Sequence, residues 1–507
     1  MTDPAGTTLR TWAAASAWFA AALVLYLATG ARGLIWADSS KLTLYALKGY
    51  LPSLNPGDHA GWVALAWAWL RLWGGDPIVA AHRFSAFAGA ALVALAFLWT
   101  LRGGRDAARA HTVAAVLVVA LPVWWASTVA ETYATAMALA LAGAVAAQGG
   151  SGWRRSVAAG GLWGLALATH ALVGFLVVPL AWQTLGRRAW RVAPGLALGL
   201  APMWLAVFGA PLDPLTGFAA GGASSWRWVW GAFIAAARIP RQVPLVAALL
   251  LYALGPMVMG MLARRRGVRP PVVWLVSLAM LTVVLAAYAP YRLHVMIGFL
   301  VVGLVLAVPL RLKAILRAGH IALQASLYLA VPALLEATGH DAIGARVLPF
   351  RDNAGYFLCP IKRGTGGIGA PGPVAEPRAH AWVRKLGLPT RWDAGAERYV
   401  AALGVCAPAR AVVIADFNVG AVLRLAQVVR AWRGDLEIEP VAVDVAQASA
   451  EPAKALAAAV RRAGTRPAVL ADAYEPYYHV QELGRELRLE RCEAGVRVLP
   501  FPPTTGR

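Results

Sequence analysis

Nine stretches of about twenty apolar residues, almost free of carboxylates, run through the first two-thirds of this 507-residue chain: 12–31, 77–101, 110–129, 132–149, 190–209, 243–263, 271–289, 293–310 and 318–335. A helix needs about 20 such residues to cross the ~30 Å hydrocarbon core, and inside that core every backbone polar group must be satisfied internally. The pattern leaves little choice but a transmembrane helical bundle. A tenth stretch, 156–185, exceeds one span and predicts two short helices meeting near His170, which brings the count to about eleven. The run 59–73 (HAGWVALAWAWLRLW) is too short and carries Arg71; its tryptophans suit a helix lying in the interface.

The charges agree with this division. Residues 1–335 hold seven acidic residues (Asp3, Asp38, Asp58, Asp76, Asp106, Glu131 and Asp213) against 25 Lys or Arg, whereas residues 336–507 hold 18 acidic and 22 basic. The net charge of +22 thus comes mostly from the bundle, where loop cations fix orientation. No basic face with groove-reading or base-stacking elements accompanies it, which excludes nucleic acid as a partner. The first apolar run ends without a small-residue cleavage site and reads as a retained helix rather than a signal peptide.

An internal N-terminus, an interfacial 59–73 and a double crossing at 156–185 put every strong basic cluster in cytoplasmic loops. These are Arg102, Arg105 and Arg109; Arg154 and Arg155; Arg187, Arg188 and Arg191; Arg264, Arg265, Arg266 and Arg269; and Arg311, Lys313 and Arg317. The same arrangement places Asp38, Asp58, Asp76, Glu131, Asp213, His59, His170, Arg292 and His294 at the outer face of a cell membrane. Ionisable groups at membrane depth are costly and mark function, so their gathering on one leaflet predicts a site there. Two domains follow: a bundle over 1–335 with a first outer loop at 32–76, and an extracytoplasmic soluble domain over 336–507.

That domain reads as α/β. Apolar runs at 409–418 and 466–476 end in Asp-containing turns and lead into helical patterns at 419–433 and 477–489, with a third strand candidate at 436–445. A small parallel sheet is expected, after a Gly- and Pro-rich linker at 364–377. Cys359, Cys406 and Cys492 have no metal-ligand spacing, and an odd count leaves room for one disulfide.

Four segments can carry chemistry. Asp38, just beyond the first helix in WADSSK, suits either a general base for an acceptor hydroxyl or a cap for the next helix. Glu131, in WWASTVAETY with Tyr133, is the only acid between Asp106 and Asp213. His170 sits where two short helices meet, as a structural imidazole or a ligand for substrate. Arg292, in YAPYRLH, offers a planar fork for phosphate or simply snorkels. Asp38, Asp58 and His59 are the only candidates for a divalent metal and lack a ligand spacing, so no metal site is assigned. No phosphate-binding glycine loop, zinc-protease helix or nucleophile elbow occurs.

At these residues the chain resembles polytopic membrane proteins grouped with the protein O-mannosyltransferase-like enzymes of the GT-C glycosyltransferase class. The resemblance covers roughly residues 15–185 and lies in the order and spacing of five motifs. They are Asp38-Ser39-Ser40-Lys41; Asn55-Pro56-Gly57; Phe84-Ser85-Ala86 with Gly89-Ala90; Trp125 with Ala130-Glu131-Thr132-Tyr133; and Gly164-Leu165-Ala166 with His170. Two departures stand out: Lys41 replaces the family's second acid, and the family's His-Pro-Pro turn is Asn55-Pro56-Gly57, with His59 displaced beyond it.

The resemblance implies a GT-C-like bundle followed by an extracytoplasmic domain, and transfer of a sugar from a polyprenyl-phosphate donor to a protein, lipid or glycan acceptor. Asp38 would be the base; Glu131, Tyr133, His59 and His170 would line the acceptor or sugar pocket. From charge and position alone, Arg292 would stabilise the leaving phosphate. The rival readings are a transporter or flippase for a lipid-linked or small solute, and a non-catalytic tethered assembly protein.

Overall fold

The computed structural model describes residues 4–36, 38–51, 59–104, 106–148, 152–209, 236–255, 257, 271–288, 293–308, 311–337, 357–362, 395–441 and 452–499. Asp58, Arg292, Asp213, the Asn55-Pro56-Gly57 turn, the Arg264–Arg269 cluster and the 364–377 linker lie outside them.

Among the described residues the first two-thirds is built from helices and the short turns between them. In chain order come α1 (Pro4–Thr29), α2 (Asp38–Lys48), α3 (Ala60–Trp73), α4 (Pro77–Arg102), α5 (Ala107–Val119), α6 (Leu121–Thr128), α7 (Tyr133–Gln148), α8 (Trp153–Thr169) and α9 (Gly174–Leu185). After these follow α10 (Ala193–Gly199), α11 (Ala201–Gly209), α12 (Ile239–Leu254), α13 (Val272–Ala287), α14 (Leu293–Ala307) and α15 (Ala314–Ala337). Among the described residues, Leu9–Thr29, Pro77–Arg102, Ala236–Leu254 and Ala314–Pro332 are long and apolar enough to cross a membrane; α5 and α6 as one bent span make a fifth. The expected count of eleven is larger than these helices give. Three further apolar helices, α7, α13 and α14, fall short of a full span, and other expected spans are interrupted.

Each interruption has a local cause. Pro122 carries no N–H and its ring would collide with the Val118 carbonyl of a continuous helix. The chain therefore breaks at Ala120, with ψ 125°, and α5 and α6 meet at 57°. The Val118 carbonyl so released accepts a hydrogen bond from the Tyr26 hydroxyl at 3.0 Å. The stretch 156–185 divides at His170, which is extended (φ −161°, ψ 118°) between α8 and a 3-10 turn at Ala171–Val173. The expected 190–209 helix is likewise replaced by a 3-10 turn at Gly186–Val192 followed by α10 and α11.

Helices α8 and α10 touch backbone to backbone, through Gly160 and Gly164 on one and Gly195 and Gly199 on the other. These are paired small-xxx-small spacings of the kind that lets helices approach closely in lipid. A Cβ at Gly195 would overlap the Val157 carbonyl, and one at Gly164 the Leu196 carbonyl. Gly195→Val is therefore expected to cost about 2–3 kcal/mol, as overpacking does, and to shift the thermal unfolding of the detergent-solubilised protein downward; an unchanged midpoint would refute the contact.

The last third contains α16 (Gly395–Cys406), β1 (Val412–Ala415), α17 (Phe417–Arg430), β2 (Glu437–Pro440), α18 (Pro452–Arg462) and β3 (Ala468–Leu470). Two single-turn helices at Glu475–Tyr478 and Val480–Leu483 and a hairpin, β4 (Arg488–Arg491) with β5 (Val496–Leu499), complete it. The sheet order is β2-β1-β3-β5-β4. Strands β2, β1 and β3 are parallel, with Val412 opposite both Glu437 and Ala468, while β5 runs antiparallel to β3 and β4. The sheet is thus mixed rather than wholly parallel: the helix expected over 477–489 is present as two single turns ending at Leu483, and the antiparallel β4–β5 hairpin follows them. Cys406 and Cys492 form a disulfide, with Cα atoms 5.8 Å apart, and Cys359 is a buried thiol.

A buried polar site at one end of the bundle

The two ends of the bundle differ in chemistry. At one end the Arg109 guanidinium donates to the Leu306 and Val308 carbonyls, Arg311 pairs with Asp106, and Arg102 lies over the Trp12 ring. Gln148 at the foot of α7 donates to Trp99 at the foot of α4, and Trp153 at the start of α8 packs on Trp190. Asp38, His59, Asp76, Glu131, His170 and His294 belong to the opposite end, where α1, α6, α8 and the loops between them meet.

Asp38 opens α2, so its carboxylate sits in the first turn, where the helix dipole favours negative charge. Lys41, one turn on, brings its ammonium to 3.4 Å from Asp38 Oδ1, the two side chains being 8% and 10% exposed. The same ammonium lies 6.0 Å from the centre of the Tyr45 ring. Lys41 and Asp38 thus form a nearly buried ion pair. The Ser40 hydroxyl donates to the Ile35 carbonyl and the Thr43 hydroxyl to Ser39.

His59 and His170 meet face to face, rings stacked 5.0 Å apart at 27°. His59 adopts the left-handed conformation (φ 63°, ψ 42°) just before α3, a strained placement for a residue with a Cβ. Its Nδ1 lies 2.9 Å from the Thr169 carbonyl, released by the break at His170; a carbonyl can only accept, so Nδ1 carries the proton. His170 Nδ1 accepts from the Leu172 amide at 3.3 Å, which fixes the opposite tautomer. Tyr133 lies 4.8 Å from His170, and Phe299 of α14 closes the group 5.0 Å from the same imidazole. Glu131 is buried; its backbone N–H and C=O both engage the Ser85 hydroxyl. Gly89 gives Ser127 room against α4, so the Phe84-Ser85-Ala86 and Gly89 motif seats the Glu131 turn.

Two residues that sequence reasoning passed over hold this end together. His82 donates from Nε2 to the Gly33 carbonyl and accepts at Nδ1 from the Ala130 amide, tying the Asp38 arm to the Glu131 arm. Lys362 is fully buried, its ammonium 5.7 Å from the centre of the Trp125 ring, while His294 packs between Trp125 and Phe357. Neither stood within a recognised motif. Lys362, in FLCPIKR just ahead of the Gly- and Pro-rich 364–377 stretch, carried no sequence signal of burial.

The C-terminal domain reaches the same place. Helix α17 packs on α2, and Tyr399 of α16 lies 5.4 Å from Trp36. Arg430 pairs at 2.5 Å with Asp76, whose other oxygen caps α4 by accepting from Ile78 N–H. Glu397 accepts from the Leu34 amide at 3.1 Å. Burial pushes its carboxyl up to about 7; the Leu34 N–H and the Arg430 cation oppose the rise and the Asp76 carboxylate adds to it. A carboxyl raised from 4.5 in this way binds its proton more tightly folded than unfolded, so stability falls as pH climbs from about 4.5 to about 7. The loss amounts to roughly 3 kcal/mol over that window. Glu397→Gln is expected to flatten that slope in thermal unfolding, and an unaltered slope would count against it.

His59, His170 and Tyr133 are thus brought into one cluster, Asp38 is placed with Lys41, and Arg292 lies outside the described residues. Among the described residues no group of three or more His, Cys, Asp or Glu could hold a metal; Asp58, a member of the only trio considered, lies outside them.

Fold and site define a membrane protein with a helical bundle, a C-terminal domain containing a β-sheet, and a buried polar centre where the two meet. Over the full length of both chains it is similar to the crystal structure of ArnT from Cupriavidus metallidurans bound to undecaprenyl phosphate, at 14% identity and a TM-score of 0.50. No protein-family model and no curated protein sequence matches the chain, so the narrower resemblance over residues 15–185 rests on its motifs alone.

Proposed function

We propose that this protein is an integral-membrane glycosyltransferase that moves a sugar from a polyprenyl-phosphate carrier to an acceptor hydroxyl at the extracytoplasmic face. The observation that carries the reading is the His59–His170–Tyr133 cluster, which lies at the same end of the bundle as the buried Asp38 and Glu131 and at the opposite end from Arg102, Arg109 and Arg311. A likeness to a fold solved with undecaprenyl phosphate supports a lipid-phosphate ligand.

In this reading the Asp38 carboxylate takes the acceptor proton, and the hydroxyl oxygen forms a bond to the anomeric carbon. The bond from that carbon to the phosphate oxygen breaks, and the lipid phosphate leaves with its electrons. The His59–His170–Tyr133 group and Glu131 shape the sugar or acceptor pocket. Arg292, with the buried Lys362 as a second cation on that side, balances the phosphate charge; such electrostatic terms are usually the largest in catalysis. The outward orientation, the eleven crossings and the placement of 336–507 outside belong to the same proposal. The Cys406–Cys492 disulfide supports it, since such bonds persist in oxidising compartments.

Broken helices also occur in transporters, where freed backbone groups coordinate the cargo. Here Tyr26 and His59 fill carbonyls freed at the two breaks, which favours the enzyme. The test is incubation of purified protein in lipid nanodiscs with radiolabelled polyprenyl-phosphate sugars and acceptor membranes. Label transfer from one donor is expected; label that stays on the lipid with every donor would overturn the proposal.

A further inference from the structure

Between α1 and α2 the chain runs from Gly30 to Trp36 with neither helix nor strand, yet Leu34, Ile35 and Trp36 are buried. Buried backbone must find partners elsewhere, and here it finds them on four different elements. The Ala31 amide donates to the Thr128 carbonyl of α6 at 2.9 Å, and the Gly33 carbonyl accepts from His82 of α4 at 3.0 Å. The Ile35 carbonyl accepts from Ser40 of α2, and the Leu34 amide donates to Glu397 of α16 at 3.1 Å.

Glu397 is the one member of this set from the C-terminal domain and the one that is an acid. It is 6% exposed, and its second oxygen, Oε2, is buried without a hydrogen-bond partner among the described residues. Burying a carboxyl in this way is expensive, and an apolar residue would fill the space without that cost. Gly33 is matched to it, because a Cβ there would overlap the Glu397 carboxyl. The Arg430–Asp76 pair and the Tyr399–Trp36 contact flank the same junction.

We propose that Glu397 is a positioning residue: by holding the Leu34 amide it fixes the buried segment that delivers Asp38 to the site, so the C-terminal domain completes the catalytic loop. This rests on the reading of Asp38 as the base. Its placement of the loop is testable without any sugar transfer.

In the full-length protein carrying Asp38→Cys, the native cysteines are buried or disulfide-bonded, so a membrane-impermeant maleimide reports position 38. Glu397→Ala is expected to raise the labelling rate at least about tenfold, the size of a lost hydrogen bond to a charged group. Glu397→Gln, which keeps an accepting oxygen, is expected to leave it within about twofold. With Asp38 intact, Glu397→Ala should lower kcat by a similar factor at unchanged KM for the donor, and Glu397→Gln should restore it. Unchanged labelling in Glu397→Ala overturns the proposal. Should that variant fail to fold, hydrogen exchange of unmodified protein decides: the Leu34 amide is expected to be protected as strongly as helix α1, and exchange at the rate of an exposed loop refutes the clamp. If no donor is turned over, labelling and exchange still give their answer, which separates this inference from the proposed activity.

Discussion

Asp38→Asn is expected to lower the rate of sugar transfer by about 10²–10⁴-fold, the range that positioned proton transfer contributes. Asparagine keeps the shape of the side chain and its place in the first turn of α2, but it cannot take a proton. The substitution has a second effect, because Lys41 loses the carboxylate 3.4 Å away while remaining almost wholly buried. Removing one member of a buried pair costs about 3–5 kcal/mol, enough to mimic a catalytic defect by unfolding. The double variant Asp38→Asn with Lys41→Met also removes the ammonium that has lost this carboxylate. It is expected to recover most of the thermal stability and none of the activity. Activity above about a tenth of the original in folded Asp38→Asn protein would remove Asp38 from the role of base.

The second large effect is expected at the disulfide. Cys406 and Cys492 are 86 residues apart, and closing a loop of that length restricts the unfolded chain by about 4.6 kcal/mol in the chain-entropy account. The bond joins the end of α16 to the hairpin β4–β5, where Arg497 also donates to the Cys406 carbonyl at 2.6 Å. Replacing both cysteines by serine should make the C-terminal domain open at lower temperature than the bundle, seen as protease cleavage within 395–499. Because α16 carries both Cys406 and Glu397, the hold on Leu34 should weaken with it. A loss below about 1 kcal/mol would mean that the unfolded domain is already compact.

The helical character of the apolar runs was legible because hydrocarbon admits few alternatives. The division at His170 could be read from length alone, since 156–185 is too long for one crossing. The bend at Ala120 was equally legible in Pro122 but lay inside a run that otherwise passed as one span. In the C-terminal domain, β1 and β3 were visible as apolar runs, whereas β4 reads Arg-Leu-Glu-Arg, an edge strand with no apolar run to betray it. The site divides in the same way. Asp38, Glu131, Tyr133, His59 and His170 stood out as rare polar groups in apolar surroundings. His82 and Glu397 did not, because their importance lies in carbonyl and amide partners far away in the chain, and sequence patterns record neighbours rather than contacts.

The Leu34–Glu397 bond spans 363 residues. A ribosome adding about 5–20 residues per second needs roughly 20–70 s to make that interval. During that time α1 and the Asp38 loop already exist while their last partner has not been synthesised. A nascent chain therefore inserts in the bilayer well before Glu397 can hold the Leu34 amide, and one truncated ahead of residue 397 never gains that hold.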